Sequence, residues 1–438
     1  MALHADTIWE VRTGGNNENG GGFHDRVPGT SVDYTQQNAP QLDLTDLACA
    51  GAGVTTITSA VGGFTAAMEG NIIRIHTGAN FTVGFYEIVT VNSGNSVTLD
   101  RTPATGVGAN GHGKVGGGQV NLDLIDVVVI GGNTIYIENG NYAAHPAVSF
   151  GAVPAGPYPV ASPLTIWGYN TARTTSPTGV NRPILQFGAN QFSIPQCNIK
   201  IRNIAFEGTA NGIVVIMNGS LVTPQVRLFE NCKFTNLSSV AGDRNCVIDI
   251  VATADPYIAL FIDCEFSGTT GTATPIGIQT VGSASGHSLV IFNCYFHNLS
   301  YGLQLVGGNN SGLILSFSIF ANILLDGINF LNGIGQRVIN CTFADIGGNG
   351  YQNAGDGTGS VFMNNTFSNC VSAGIRSQAA VVMNNNFFGN GNNWIGGTLN
   401  PVDNNTFIAP QFVAPGSNYA LQRTSGLIDR AFSMRLGV

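Results

Sequence analysis

The chain has 438 residues, enough for a sizeable core, yet only 10% are Asp, Glu, Lys or Arg, against roughly a quarter in typical soluble domains. Apolar residues make up 43%, too many for disorder; the 59 glycines follow no collagen period, and no run approaches the roughly 20 apolar residues of a membrane-spanning helix. The missing apolar run argues against membrane insertion, and a net charge of −8, with lysine only at Lys114, Lys200 and Lys233, argues against a nucleic-acid partner.

In chain order, the first ten residues lack the basic and apolar regions of a secretory signal, so a chain starting at Met1 is expected to be made in a cytosol. That setting favours thiols over disulfides among the eight cysteines. Residues 1–41 read as an N-terminal arm or anchor. Residues 42–118 alternate cleanly at Asn71–His76, Val83–Val91 and Ser96–Leu99, with a turn at 92–95, which predicts a small antiparallel β region capping the remainder of the chain. The stretch from Gly106 to Gly118 reads as a glycine-rich connector.

Residues 119–410 carry a repeat. Asn231-Cys-Lys-Phe234, Asp263-Cys-Glu-Phe266, Asn293-Cys-Tyr-Phe296, Asn340-Cys-Thr-Phe343, Asn364-Asn-Thr-Phe367, Asn384-Asn-Asn-Phe387 and Asn404-Asn-Thr-Phe407 share one pattern, with looser copies ending at Phe206 and Phe320. Short apolar runs precede most copies and a Gly-apolar pair such as Gly277-Ile278 or Gly302-Leu303 often comes after. A unit of this length, built from short strands with polar corners, predicts a parallel β-helix with coils about 4.8 Å apart. The nine phenylalanines would then form an interior ladder. Cys232, Cys264, Cys294 and Cys341 share their strand parity and would face inward as thiols. The Asn/Asp position one step earlier would occupy left-handed corners. Residues 411–438 remain as a C-terminal cap or tail.

Gly132-Asn-Thr-Ile-Tyr-Ile-Glu-Asn-Gly-Asn-Tyr142 resembles the opening coil of pectate-lyase-like right-handed β-helices; Pro163–Tyr169 and Ile199–Phe206 resemble the coils after it, and Phe412–Asp429 their closing segment, with Gly426 in place of the usual proline. Trp9–Phe23 and Val32–Gln41 resemble openings of β-helix proteins encoded by tailed bacteriophages. The resemblance implies an all-β fold: a right-handed single-stranded parallel β-helix with a small N-terminal β region and a short C-terminal cap.

Polysaccharide cleavage is the activity this resemblance invites, but neither the polygalacturonase carboxylate pattern nor the pectate-lyase arginine motifs are present. The weak catalytic candidates are Asp263 and Glu265, two residues apart and so expected on one strand face. Lys233 on the neighbouring coil should hold Glu265 ionised in a surface ion pair. Asp243, Asp249 and Asp255 read as loop charges. The seven histidines show no metal-ligand spacing, and no metal or cofactor is expected. Weak sugar-stacking candidates are Tyr295, Tyr301, Tyr351 and Trp394, each weighed against ordinary packing.

The sequence thus points to a non-enzymatic structural or adhesion protein of a phage particle (a capsid decoration, fibre or spike component), made in the host cytoplasm and displayed on the virion surface. The alternatives are a tailspike-like protein that binds or cleaves polysaccharide, and a secreted bacterial surface adhesin. Expected partners are other virion proteins reached through the N-terminal arm, further copies in a homo-oligomer such as a trimer, and bacterial surface polysaccharide.

Overall fold

The short apolar runs become strands joined at tight corners, and the strands wind into a parallel β-helix. The computed structural model describes residues 3–427 apart from 151–161, 177–180, 196, 209–211, 219–224, 239, 241, 251–256, 270–274, 283–287, 307–311, 356, 379, 397–399, 402–404, 417, 423 and 426. Asp255, His287, Asn404, Gly426 and Asp429 lie outside the described residues. The chain divides into two units, Met1–Leu185 with Cys197–Ile204, and Gln186–Gln196 with Ala205–Val438. Among the described residues no helix is long and apolar enough to cross a membrane.

In the first unit the strand Ile8–Val11 pairs in parallel with Thr134–Glu138, which pairs in turn with Leu164–Tyr169 and that with Ile199–Arg202. The segment expected as an arm is therefore part of the stack. Trp9 is fully buried, its indole N–H directed at Asn133 Oδ1 (3.3 Å) and its ring edge-on to Phe85. Between these first two coil strands lies a closed six-stranded antiparallel barrel, in the order Leu42–Cys49, Thr56–Thr58, Ser96–Leu99, Gly84–Ser93, Ile72–Phe81, Ala104–Val115. Leu44, Leu47, Ile73, Ile75, Ile88 and Val97 fill it. The glycine-rich stretch is not a connector. Ala104–Val115 is the strand that closes the barrel, pairing with Leu42–Cys49 on one side and Ile72–Phe81 on the other. Its glycines meet side chains at close range: a Cβ on Gly108 or Gly111 would come within 2.9 or 2.7 Å of the Phe81 ring.

The second unit stacks three parallel sheets. The first runs from Gln225–Glu230 through Tyr257–Ile262, Ser288–Phe292, Leu313–Ser316, Arg337–Ile339, Ser360–Met363 and Ala380–Met383 to the short Asn400–Pro401. The second carries the repeat phenylalanines, from Ala205–Gly208 to Asn386–Phe388, and the third includes Ile276–Gly282 and Tyr301–Val306. Phe206, Phe234, Phe266, Phe296, Phe320, Phe343, Phe367 and Phe387 are register partners, with ring centroids 4.5–5.3 Å apart and nearly parallel planes. The ninth, Phe407, departs from the expectation: it is 56% exposed and tilted 31° against Phe387, because the ladder ends there. The Gly-apolar pairs make room for the ladder. A Cβ on Gly327 would stand 2.5 Å from the carbonyl oxygen of Gly350 and 2.9 Å from the Phe343 ring.

The corners obey the same economy. Asn231, Asp263, Asn293, Asn340, Asn364 and Asn384 have φ between +51° and +58°, where asparagine and aspartate are the side chains best tolerated. Inside each corner sits the cysteine position. The backbone N–H of Cys294 donates to Ser318 Oγ (3.1 Å) and that of Cys341 to Asn365 Oδ1 (2.9 Å); Asn365 donates to Asn385, and Asn385 to Asn405, each at 2.9 Å. A polar ladder thus lines the inside of the bend. Every cysteine is a buried thiol, and burial pushes that of Cys341 up to about 12, so it is inert at neutral pH.

Candidate functional site

The parallel register of the second sheet brings Lys233, Glu265 and Tyr295 into one outward column. Glu265 Oε1 lies 3.1 Å from His297 Nε2 and 2.9 Å from Lys233 Nζ, and the His297 ring stacks on Tyr295 at 4.3 Å. The hydrogen bond from His297, then the Lys233 contact, pull the Glu265 carboxyl down to about 2 against an opposing desolvation effect. A group held ionised in this way cannot begin a reaction as a general acid. Asp263 does not share its strand face as expected: the strand begins at Glu265, and Asp263 occupies the left-handed corner, accepting a hydrogen bond from Asn293 Nδ2 (2.6 Å). A two-residue spacing implies one face only while the chain is extended, and here it turns. Asp243 accepts from the Gly212 N–H (3.0 Å) and serves the backbone, whereas Asp249 lies in the strand Arg244–Ile250.

The four aromatic candidates separate. Tyr351 is fully buried, edge-on to Phe362, and unavailable for sugar stacking; its strand parity turns it inward. Trp394 is 39% exposed and edge-on to Phe387. Tyr301 is partly exposed on the third sheet, and Tyr295 is committed to His297 and to the C-terminal tail.

The tail, expected as a C-terminal cap, turns back along the coils in its described part. Phe412–Ala414 and Asn418–Leu421 form a hairpin that folds back over the second sheet, packing Phe412 and Tyr419 on Ala321 and Ala344. The Tyr419 hydroxyl donates to Asp345 Oδ2 (2.7 Å), and Asn322 Nδ2 donates to the Gly416 carbonyl (3.3 Å). Asn322 and Asp345 stand in a second column of left-handed corners with Asn298 and Asn369, so the corner residues that shape the coil also hold the hairpin. Beside the hairpin opens a cavity of about 290 Å³ lined by Asn340, Thr342, Asn364, Thr366, Asn384, Asn386 and Thr406, with Phe317, Leu421 and Leu427 as apolar walls. Neutral amides and hydroxyls against an aromatic ring are the chemistry that holds an uncharged sugar.

Two further clusters lie in the first unit. Glu10, with no exposed surface, meets Arg173 (2.7 Å), Arg12 (3.3 Å) and the Tyr169 hydroxyl, while Arg12 reaches Glu138 (2.5 Å) and Arg173 reaches Asp33 (2.6 Å). Burial raises the Glu10 carboxyl despite both guanidiniums, and the network ties the first strand to the coils after it. His4, Asp6 and His24 also meet, although the sequence scatters them. The two imidazoles stack 3.7 Å apart and 10° from parallel. Ring lone pairs lie in the ring plane, so one metal ion could not lie in the planes of both rings, and this arrangement does not suit one.

A family model of the right-handed β-helix region matches residues 248–407. No curated protein matches the sequence. Solved structures similar to it include a rhamnogalacturonan lyase (14% identity, 68% of this chain and 86% of that one, TM-score 0.31) and the catalytic domain of a GH87 α-1,3-glucanase in complex with tetrasaccharides (11%, 84% and 90%, 0.22). Another is the tailspike protein gp49 from Pseudomonas phage LKA1 (15%, 84% and 64%, 0.21). The matched segment lies within the coils of the second unit, and the fold is a right-handed parallel β-helix.

Proposed function

We propose that the chain is a non-catalytic structural and adhesive component of a phage particle, and that it holds neutral surface polysaccharide in the cavity beside the C-terminal hairpin. The observation that carries this reading is the unbroken pair of interior ladders in the second unit. Stacked phenylalanines and hydrogen-bonded Cys, Ser and Asn side chains make each coil depend on its neighbours, as a rigid scaffold requires. Glu265 fits the same reading, since Lys233 and His297 occupy its carboxylate and Asp263 is turned away at a corner. The ligand class is inferred from the amides, hydroxyls and single exposed aromatic ring of the cavity.

The test is incubation of the purified chain with polysaccharide from candidate host strains. Polymer length should stay constant while the protein is retained on the immobilised polymer, and Thr366→Arg, which fills the cavity, should abolish retention. Antibody labelling should place the chain on particles. Shortening of the polymer that Glu265→Gln removes would overturn the non-catalytic reading, and absence from particles would overturn the structural one.

A further inference from the structure

The outward face of the first sheet in the second unit is apolar where solvent-facing strands normally alternate. Its central column runs Leu228, Leu260, Val290 and Ile314 before Arg337 interrupts it, and the column beside it carries Phe292 and Met363. Phe292 is 43% exposed and Ile314 38%. Within the strand Tyr257–Ile262 the run Ile258–Ile262 is apolar at every position, the pattern of parallel sheets covered on both faces. The first-sheet strands of the first unit show that this fold does not require it, since their outward positions include Glu138, Lys200 and Arg202.

We propose that this face is a two-fold contact with a second copy of the chain, centred on the middle strand, Leu313–Ser316. Two features point to a like partner. The seven strands from Gln225–Glu230 to Ala380–Met383, about 4.8 Å apart and about 16 Å wide, offer roughly 550 Å² a side, so two copies bury about 1,100 Å², just past the roughly 1,000 Å² a biological interface should clear. The chain carries −8 and two copies repel over most of their surface. This face has one acidic and one basic side chain among its described outward positions, Glu230 and Arg337, and so presents no net charge. A closed two-fold axis also makes the patch its own complement. With the axis through Ile314, each Arg337 lies across the other copy's Ser288–Phe292 strand, where its guanidinium can cover the exposed Phe292 ring.

The purified full chain, at concentrations above the micromolar dissociation constant a small interface supports, should scatter light as a particle of twice 45.7 kDa. Phe292→Asp and Val290→Asp point outward and should give a monomer with unchanged circular dichroism and melting, the dimer dissociation constant rising at least tenfold. Under oxidising conditions Ile314→Cys should cross-link two copies, because a residue on the axis meets itself, whereas Val226→Cys at the edge should not. A monomeric or trimeric wild-type protein, a dimer indifferent to both aspartates, or equal cross-linking at the two cysteines would overturn the proposal.

Discussion

Replacing Phe296 by alanine removes one ring from the middle of the stack. The ring has no exposed surface and lies 4.6 Å from Phe266 and 4.5 Å from Phe320, within 3° of parallel to each. The neighbours cannot close the gap, because sheet hydrogen bonds hold successive coils about 4.8 Å apart. Both the transfer and the cavity contributions therefore apply in full, and the loss should lie at about 4–5 kcal/mol, the upper part of the range for Phe→Ala. Phe407 supplies an internal control. It ends the same sequence motif but is 56% exposed and 6.4 Å from Phe387. Its removal should cost about 1 kcal/mol or less. Urea unfolding monitored by circular dichroism measures both. A loss below about 1 kcal/mol at Phe296, or equal losses at the two sites, would refute the claim that the ladder, rather than the motif, carries the stability.

Asn385→Leu should destabilise by about 2–4 kcal/mol, because it strips the acceptor from the Asn365 N–H and side-chain amide inside the bend and leaves both buried; unfolding midpoints check this. Glu265→Gln should cost about 1 kcal/mol or less at pH 7, since the half-exposed carboxylate is screened by solvent. The folded-state pKa is depressed to about 2 from 4.5, so that contribution is fully present above pH 4.5 and fades as pH falls toward 2; wild type and variant should converge over this window. Tyr419→Phe should leave global melting within about 1.5 kcal/mol of wild type while speeding protease cleavage in the C-terminal hairpin, which loses its bond to Asp345.

The ladders are legible in the sequence because a repeat writes each structural position many times: asparagine marks the corner, the cysteine position the inside of the bend, and phenylalanine, two residues later, the strand that follows. Features written only once are not. Gly106–Gly118 carries the composition of a linker, and only the Phe81 and Leu47 side chains packed against it reveal a strand. Tyr351 is misplaced although its position is written in the repeat: Gly350-Tyr351 stands in register with the Gly-apolar pairs Gly327-Ile328 and Gly374-Ile375, whose apolar member faces inward. The hairpin and its cavity depend on Tyr419 meeting residues at least 74 positions away, for which local pattern contains no signal. Asp263 and Glu265 fail as a pair for the opposite reason: the asparagine pattern predicts the corner that separates them, and a spacing of two places residues on one face only along a straight strand.

The insertion of the barrel between Ile8–Val11 and Thr134–Glu138 has a consequence for biogenesis. During synthesis the first strand of the helix emerges well before its partner, and Trp9 has no coil to pack into until about 120 further residues have been made. Barrel closure brings Leu42 beside Val115 and leaves Gln119 next to Val11. The folded barrel thus acts as a clamp that shortens the effective loop between the two strands. The saving in closure entropy is modest, under about 1 kcal/mol, because that cost grows only logarithmically with length. Its larger effect is on order: the antiparallel barrel, rich in neighbouring strand pairs, can form on the ribosome and deliver the starting edge on which later coils are laid down one at a time.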